Sequence, residues 1–392
     1  MTQSAAAPAG SRLDRAILYF GNDWDAENRT SSHQIALQLN KLTEIVYIEC
    51  PGLRRPAATA RDARKLVSKL RKVLDGPRSA NGLRVYTLLQ LPFHGSAVMR
   101  WLNRRLVNWQ VRRIRRQLDS RKPPVLWFVI PHVAYLPRLQ ADCQTVYYCI
   151  DKYAALPGVD VRAVEAMDGI LTQTADLLFV ASEKLFEDKR NRRPDAILSP
   201  HGVDFDLFSQ AADRTRGERP ADLPPWPGPI VGFFGLLEDW IDLQLLAFVA
   251  QRRPEWLIVL IGREAVDVGP LRGYSNVLRV GRKAFAELPR YGRFFDVGVL
   301  PYRLTEQVIH SNPIKLREYL AMGKPVVSVR FPHAAGFGQL IYLADTYDEF
   351  LHAIDRALRE DDDSLRRARM ECVKDTTWAA RASTALQHLR AL

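Results

Sequence analysis

Lys315 and Glu318 lie three residues apart in the segment 311–327, which reads SNPIKLREYLAMGKPVV. Asn312 is a typical N-cap and Pro313 fits the first helical position, so the free amides of the first turn favour an anion such as phosphate. On one helix face, the ammonium can neutralise a diphosphate while the carboxylate accepts hydrogen bonds from sugar hydroxyls. The segment therefore predicts a phosphate-and-ribose site at the front of a helix.

The residues that follow complete a helix-to-strand unit. Gly323 is a typical helix end, and residues 325–329 read as a buried parallel strand, so the unit is half of a nucleotide-binding α/β domain. An ordinary capped surface helix with a Lys/Glu pair worth about 0.2–0.5 kcal/mol would show the same pattern. Taken alone, the segment leaves both interpretations open.

Asp151 is the second chemical candidate, because it follows the predicted strand 145–150. A carboxylate at the carboxyl end of a parallel strand is placed where α/β proteins bind ligands, and it can deprotonate a hydroxyl within about 2.6–3.2 Å. The alternative is an aspartate that caps the next segment. Glu165, in the helix that follows, is expected to face the ligand-binding cleft.

The loop after the first predicted strand leads into a helix that begins with a capping box formed by Ser31 and Gln34. His33 lies in the first turn of this helix, next to a polar loop that contains Asn28 and Arg29. A histidine at this place can serve catalysis or acceptor binding. It can equally pack under the loop with no chemical role.

Composition sets the outer limits. The 392 residues are 47% hydrophobic and 26% charged, which suits two soluble α/β domains, and the longest apolar runs are six residues, far below the roughly 18 needed to span a bilayer. Residues 1–14 read as a disordered leader and not as a signal peptide, which predicts a cytoplasmic protein. The four cysteines have no CxxC spacing, so the sequence predicts no metal site.

The net charge of +12 is concentrated in two blocks of the N-terminal half. Residues 54–78 contain nine Lys/Arg against two Asp, and residues 100–122 contain nine against one. In the second block apolar residues recur at helical spacing, which predicts a basic amphipathic helix. It suits an anionic membrane surface, or a helix that packs on the core with an arginine-rich outer face. Nucleic acid is not expected, because no recognition module is present.

Apolar strands alternate with helical patterns, which predicts an α/β protein with two parallel sheets. The first half is predicted to contain strands near 15–20, 44–49, 84–89, 125–130, 145–150 and 177–181 and helices near 32–42, 60–75, 96–119 and 161–174. The second half is predicted to contain strands near 229–234, 256–261, 277–280, 296–300 and 325–329 and helices near 241–252, 284–293, 313–322 and 348–359. The predicted organisation is a domain over 15–208, a Pro-rich linker over 209–228, a domain over 229–365 and a closing helix over 366–392 that returns to the first domain.

Most of the chain resembles GT-B glycosyltransferases of bacteria. The resemblance is carried by residues 145–208, 230–262, 281–327 and 376–389, and the Asn-Pro-x-Lys-x-x-Glu segment is its most specific part. It implies two doubly wound Rossmann-like domains that face a central cleft, and a nucleotide-diphospho-sugar donor that is bound without metal or other cofactor. The implied donor-binding residues are Gly235, Tyr302, His310, Ser311, Asn312, Lys315 and Glu318, with Glu318 on the ribose and Lys315 on the diphosphate.

Two departures from the family pattern bear on the mechanism. Retaining members often carry a glutamate eight residues before the ribose glutamate, where this chain has His310, and GLLEDW at 235–240 lacks the cations often found there. With Asp151 as base, an inverting transfer to a lipid-linked or glycan acceptor in polysaccharide assembly is the expected reaction. If Asp151 is structural, a retaining reaction is expected instead. A sugar-nucleotide epimerase of GT-B fold and a non-catalytic GT-B partner protein are the alternatives.

Overall fold

The computed structural model describes residues 13–25, 30–50, 71–73, 76–90, 97–213 and 217–392. The predicted leader up to residue 12, the acceptor candidates Asn28 and Arg29, and most of the first basic block lie outside these residues. So does most of the helix predicted near 60–75. The described chain divides into two compact units, one of residues 1–181, 185–199 and 381–392 and the other of residues 182–184 and 200–380.

The first unit is built on one sheet. Its described strands are β1 (Ile17–Gly21), β2 (Ile45–Glu49), β3 (Arg78–Ala80), β4 (Leu83–Thr87), β5 (Val125–Phe128), β6 (Thr145–Cys149), β7 (Leu177–Val180) and β8 (Ile197–Leu198). They are ordered β3-β4-β2-β1-β5-β6-β7-β8, and every pairing is parallel except that of β3 with β4. The α-helices that begin in this half of the chain are α1 (Ser31–Asn40), α2 (Ala97–Arg115), α3 (Leu136–Leu139), α4 (Val161–Thr174) and α5 (Glu183–Arg190).

The central strands of this sheet are buried on both faces, which is why they read as continuous apolar runs. Leu18, Phe20 and Tyr147 belong to the core on one face, and Ile17 and Tyr19 to the core on the other. Because the inner strands end at one edge of the sheet, the residues that follow β1 and β6 lie at that edge, where α/β sheets bind ligands.

The second unit has a parallel sheet with the order β11-β10-β9-β12-β13-β14. Its strands are β9 (Ile230–Phe234), β10 (Leu257–Ile261), β11 (Val277–Gly281), β12 (Val297–Leu300), β13 (Val326–Val329) and β14 (Tyr342–Ala344). The α-helices that begin in this half of the chain are α6 (Phe205–Ser209), α7 (Leu243–Arg252), α8 (Leu288–Gly292), α9 (Glu306–Ile309), α10 (Ile314–Ala321), α11 (Pro332–Ala335), α12 (Tyr347–Glu360), α13 (Asp363–Lys374) and α14 (Trp378–Arg390). The residues of α14 from Arg381 onward belong to the first unit. Short 3₁₀ turns over Pro131–Val133, Tyr153–Ala155, Gly269–Leu271, Phe285–Glu287 and Gly338–Leu340 complete the regular structure in the two units.

The units divide the chain at different positions from the predicted domains. The first unit ends at Ser199, and the residues from Pro200 onward, including most of the predicted linker 209–228, belong to the second. Leu223, within that segment, is 1% exposed and belongs to the core of the second unit. The segment 366–392 is not one helix, because α13 ends at Lys374 and only the chain from Arg381 onward joins the first unit.

The predicted strands begin within two residues of their predicted starts. The predicted helix over 284–293 is confirmed only in its second half, because a 3₁₀ turn ends at Glu287 and α8 begins at Leu288, with Pro289 in its first turn. Proline has no N–H to continue a preceding helix, so it marks a new helix start. In the described ranges no helix is both long enough and apolar enough to cross a membrane.

Candidate active site

Two glycines follow neighbouring strands of the second sheet at their carboxyl ends. Gly235 follows β9 with a φ of 143°, and Gly262 follows β10 with a φ of 156°. The Gly235 N–H donates to the carbonyl oxygen of Ile261 at 2.8 Å. A Cβ at Gly262 would lie 1.8 Å from the Gly235 oxygen. The two loops therefore approach backbone to backbone, which only glycine permits.

The side chain of Lys315 lies directly over Gly235. A Cβ at Gly235 would be 1.9 Å from Lys315 Cε and 2.6 Å from its Nζ. The ammonium is 5.7 Å from the centre of the Phe233 ring. Burial lowers the pKa of Lys315, and the neighbouring Glu318 carboxylate acts in the opposite direction. A half-buried ammonium group is thus held at the end of β9.

Glu318 is 4% exposed. Burial raises the pKa of its carboxyl to about 7, Lys315 opposes this shift, and Asp204 adds to it. Within the described residues the Glu318 carboxylate forms no hydrogen bond and no ion pair. A buried carboxylate without partners carries a desolvation cost that a ligand with hydroxyl groups would relieve.

Helix α10, which carries Lys315 and Glu318, packs against the sheet of the second unit. Tyr319 is fully buried, and its hydroxyl accepts from the Phe234 N–H at 3.1 Å. Leu316 and Leu320 are also buried, so the helix packs by an apolar stripe. The positions of Lys315 and Glu318 therefore follow from a rigid attachment of α10 to β9.

The predicted N-cap at Asn312 is wrong. Helix α10 begins at Ile314, and Pro313 occupies the N-cap position without a capping side chain. Asn312 is buried, and its Oδ1 accepts instead from the Arg317 guanidinium. Asn312 Oδ1 is therefore occupied by Arg317, and the first turn of α10 has no side-chain cap.

Arg317 connects Asn312 to two more distant residues. Its Nη1 lies 3.2 Å from His333 Nε2, and His333 Nδ1 lies 2.9 Å from Glu183 Oε2. Burial lowers the pKa of His333, and the hydrogen bond from His333 lowers the pKa of Glu183. This chain of contacts fixes the segment just before α10.

The other predicted donor residues line the approach to α10. His310 is buried, and its Nδ1 donates to the Glu306 carbonyl at 2.7 Å. The Ser311 hydroxyl donates to the Val308 carbonyl at 2.8 Å. Tyr302 is buried after β12, where burial and the nearby Glu318 raise its pKa. The structure therefore brings the predicted donor-side residues together around the ends of β9 and β12.

His33 is 1% exposed in the first turn of α1. Its Nδ1 accepts from the Thr30 N–H at 3.1 Å, and its Nε2 donates to the Asp23 carbonyl at 3.0 Å. The predicted capping box of Ser31 and Gln34 is wrong by one residue, since Thr30 and His33 form it. Catalysis by His33 would require its Nε2 to exchange the Asp23 carbonyl for a substrate group.

Asp151 is half-buried just after β6, and its Oδ1 accepts from the Lys152 N–H at 2.9 Å. Glu165 is exposed on α4. The inner face of α4 carries Asp168, whose oxygens lie 2.7 and 2.8 Å from the Lys189 ammonium. The structure thus places Asp151 at the sheet edge, and Glu165 on the solvent side of its helix.

Three carboxylates from Asp23, Asp25 and Glu49 converge at the ends of β1 and β2. Lys72 Nζ lies 2.7 Å from Asp25, and Arg78 Nη2 lies 2.6 Å from Glu49. The two cations compensate most of this negative charge, so the arrangement is an ion-pair network beside the loop that follows β1.

Solved structures similar to this chain share its fold over nearly the whole length. Anabaena Alr3699/HepE, in complex with UDP and glucose, matches with a TM-score of 0.65 and 14% identity over 96% of this chain and 99% of that one. The trehalose 6-phosphate synthase of Burkholderia multivorans matches with a TM-score of 0.65 and 16% identity over 97% and 98%. The fold is GT-B, as the sequence predicts.

Residues 228–360 match the family model described as glycosyl transferases group 1. The chain therefore has the GT-B fold and contains a group 1 glycosyltransferase domain. A relative in sequence is the putative teichuronic acid biosynthesis glycosyltransferase TuaH of Bacillus subtilis (strain 168), 25% identical over 278 residues, which are 64% of this chain and 68% of the relative. The family model covers the glycines, Lys315 and Glu318 of the site described above.

Several residues that shape the site of this glycosyltransferase are not among the predicted ones. Gly262 has a sequence signal, since it follows the apolar run WLIVLI as Gly235 follows β9. Asp204 caps α6 by accepting from the Leu207 N–H at 3.2 Å and acts on Glu318 through its charge. Arg317 and His333 have no local signal, because their contacts join residues distant in sequence.

Proposed function

We propose that this glycosyltransferase moves a sugar from a nucleotide-diphospho-sugar to a lipid-linked or glycan acceptor during assembly of a bacterial polysaccharide. The observation that carries the proposal is the buried, unpartnered Glu318 beside Lys315 at the end of β9. The relative TuaH is named for teichuronic acid biosynthesis, and HepE is described with UDP and glucose, which makes UDP-sugars the first donors to test.

On the donor side, Glu318 accepts hydrogen bonds from the ribose hydroxyls, which relieves its desolvation. Lys315 and the first-turn amides of α10 stabilise the negative charge that develops on the leaving diphosphate. His310, Ser311 and Asn312 shape the phosphate end, and Tyr302 and Gly235 border the donor. These groups supply the electrostatic stabilisation without metal, so we expect turnover to persist in EDTA.

On the acceptor side, Asp151 takes the proton of the attacking hydroxyl, and attack opposite the leaving group inverts the anomeric centre. His33, Asn28, Arg29 and Glu165 are proposed to contact the acceptor. The half-buried place of Asp151 after β6 supports this role, because a carboxylate there is reachable and partly shielded from water.

Helix α2 supports a location at the inner face of the cell membrane. Val107, Val111 and Ile114 are buried, whereas Trp101 and Trp109 are 54% and 57% exposed on the outer side. Arg105 and Arg113 lie 4.9 and 5.8 Å from the two indole rings. Exposed tryptophans among arginines suit the interface of an anionic bilayer.

The test is a transfer assay with UDP-sugars, glycan and lipid-linked acceptors, and D151N beside the exposed control D195N. We expect acceptor-dependent transfer that D151N lowers by about 100-fold or more, since general-base catalysis contributes about 10²–10⁴-fold. D195N should keep full activity. Turnover without acceptor would contradict transfer, loss of activity in EDTA would contradict the metal-free mechanism, and an α-product from an α-donor would contradict inversion.

A further inference from the structure

A basic pocket lies at the C-terminal end of α2, wholly within the first unit, whereas the donor-side residues belong to the second unit. Its volume is about 430 Å³. Five cations and one carboxylate line it, together with Ser120 and two prolines; the charged residues are Arg112, Arg115, Arg116, Arg121, Lys122 and Asp142. We refer to these residues as the α2 pocket.

Only part of this positive charge is compensated. Arg115 pairs with Asp142, and Lys122 pairs with Asp14. Arg112, Arg116 and Arg121 form no ion pair with any residue in the described ranges. Three guanidinium groups without an ion-pair partner line the same pocket, so an anion bound there would be attracted by all three.

The helix end itself does not account for these arginines. The carbonyl groups at the C-terminus of α2 carry roughly half of an elementary negative charge, and the effect falls off within one turn. Arg112, Arg113 and Arg115 already occupy that turn. Arg116 and Arg121 follow the end of the helix, so the helix dipole does not balance their positive charge.

The chemistry of the pocket selects the anion. Guanidinium groups present forked donors that match phosphate oxygens in pairs, and Ser120 adds a hydroxyl. The pocket also continues the exposed face of α2, because Trp101, Arg105, Trp109, Arg112 and Arg116 follow one another at spacings of four, four, three and four.

We propose that the α2 pocket is a binding site for phosphate groups, in particular a diphosphate or the phosphate of an anionic lipid. The ligand is held by Arg112, Arg116 and Arg121. The site is independent of the donor chemistry, so it stands or falls separately from Lys315 and Glu318.

The experiment uses the full chain with K315A/E318A, which removes the proposed donor site, and titrates inorganic pyrophosphate by calorimetry. The pocket variant is R112Q/R116Q/R121Q. The matched control is R162Q/R190Q/R192Q, which removes the same charge from exposed positions of the first unit outside α2 and outside the pocket lining. A second probe is sedimentation with phosphatidylglycerol vesicles, compared with phosphatidylcholine vesicles.

We expect the pocket variant to weaken pyrophosphate or vesicle binding by about tenfold or more relative to the control. A selective loss on phosphatidylglycerol identifies a lipid headgroup as the source of the phosphate. A selective loss of pyrophosphate binding with equal vesicle binding identifies a free or acceptor-borne diphosphate. The proposal is overturned if neither probe separates the pocket variant from the control.

Discussion

Glu318 has a measurable signature because its carboxyl is buried. Its pKa in the folded chain is about 7, above the ordinary value of 4.5. The folded state therefore holds this proton more tightly than the unfolded state, and the free energy of unfolding falls as pH rises from about 4.5 to about 7. The residue that suits a sugar ligand thus lowers the stability of the ligand-free protein at neutral pH.

We expect E318Q to raise the free energy of unfolding at pH 8 by on the order of 3–4 kcal/mol, because the pKa rises from 4.5 to about 7 and each pKa unit corresponds to about 1.4 kcal/mol. At pH 4.5 the substitution should change little. Urea unfolding at the two pH values measures the difference, and E371Q, at an exposed glutamate, is the control. Equal destabilisation by E318Q at both pH values would contradict the assigned burial cost.

A substitution at Gly235 tests its close approach to the Lys315 side chain. We expect G235A to abolish donor binding, because its Cβ would occupy the place of Lys315 Cε, 1.9 Å away. G273A is the matched control, since Gly273 has a φ of 90° but no atom within 4 Å of an added Cβ. It should cost stability only. Nucleotide titration of G235A and G273A measures donor binding. Retained binding in G235A would contradict the contact between Gly235 and Lys315.

For individual residues, the sequence correctly predicted that Lys315 and Glu318 are neighbours on one helix face, because a spacing of three residues alone determines this. The helix cap predicted at Asn312 is wrong, since this side chain binds Arg317, which in turn contacts His333. Helix-cap rules consider only the nearby backbone amides as partners of an asparagine side chain. Here the buried Arg317 guanidinium takes the place of those amides.

Among the elements, α2 offers the sharpest test. We expect W101A/W109A to weaken binding to anionic vesicles several-fold at low salt, because interfacial tryptophans contribute apolar burial that screening does not remove. L139A/L304A, which truncates two exposed leucines elsewhere, should bind normally. Sedimentation with vesicles measures both, and identical binding of the two variants would exclude the tryptophan face as the contact.

The long strands could be predicted from their apolar runs, but the short strands at the sheet edges could not. Strands β3, β8 and β14 have two or three residues each, too few for a pattern, and they form because a neighbouring strand offers free hydrogen-bonding groups. The break between the 3₁₀ turn and α8 at Glu287 results from Pro289. This proline is visible in the sequence, but the helical spacing of the apolar residues favoured one continuous helix.

At the scale of the molecule, the C-terminal helix completes the first unit. Ala382, Ala385, Leu386 and Leu389 belong to the same buried cluster as Tyr19 of β1 and Trp127 of β5. Alternation of strands and helices predicted the two sheets. The position of the boundary could not be predicted, because the Pro-rich segment reads as a linker whereas Leu223 is buried in the second unit.

We expect L386A and L389A each to destabilise the first unit by about 2–5 kcal/mol, the usual cost of truncating a buried leucine. Amide exchange should quicken in β1 and β5, far away in sequence. T384A and Q387A, at exposed positions of the same helix, should leave exchange unchanged. Faster exchange confined to the helix itself would contradict this account.

The most direct test of the central claim is the thermal stability of the full chain against a panel of nucleoside diphosphates and nucleotide sugars. Wild type, D151N, K315A and E318A are each compared with their own ligand-free midpoint. A ligand at 100 times its dissociation constant adds about 2.7 kcal/mol. We predict a shift in wild type and D151N that disappears in K315A and E318A; no shift with any nucleotide, or the same shift in all four proteins, would contradict the assigned donor site.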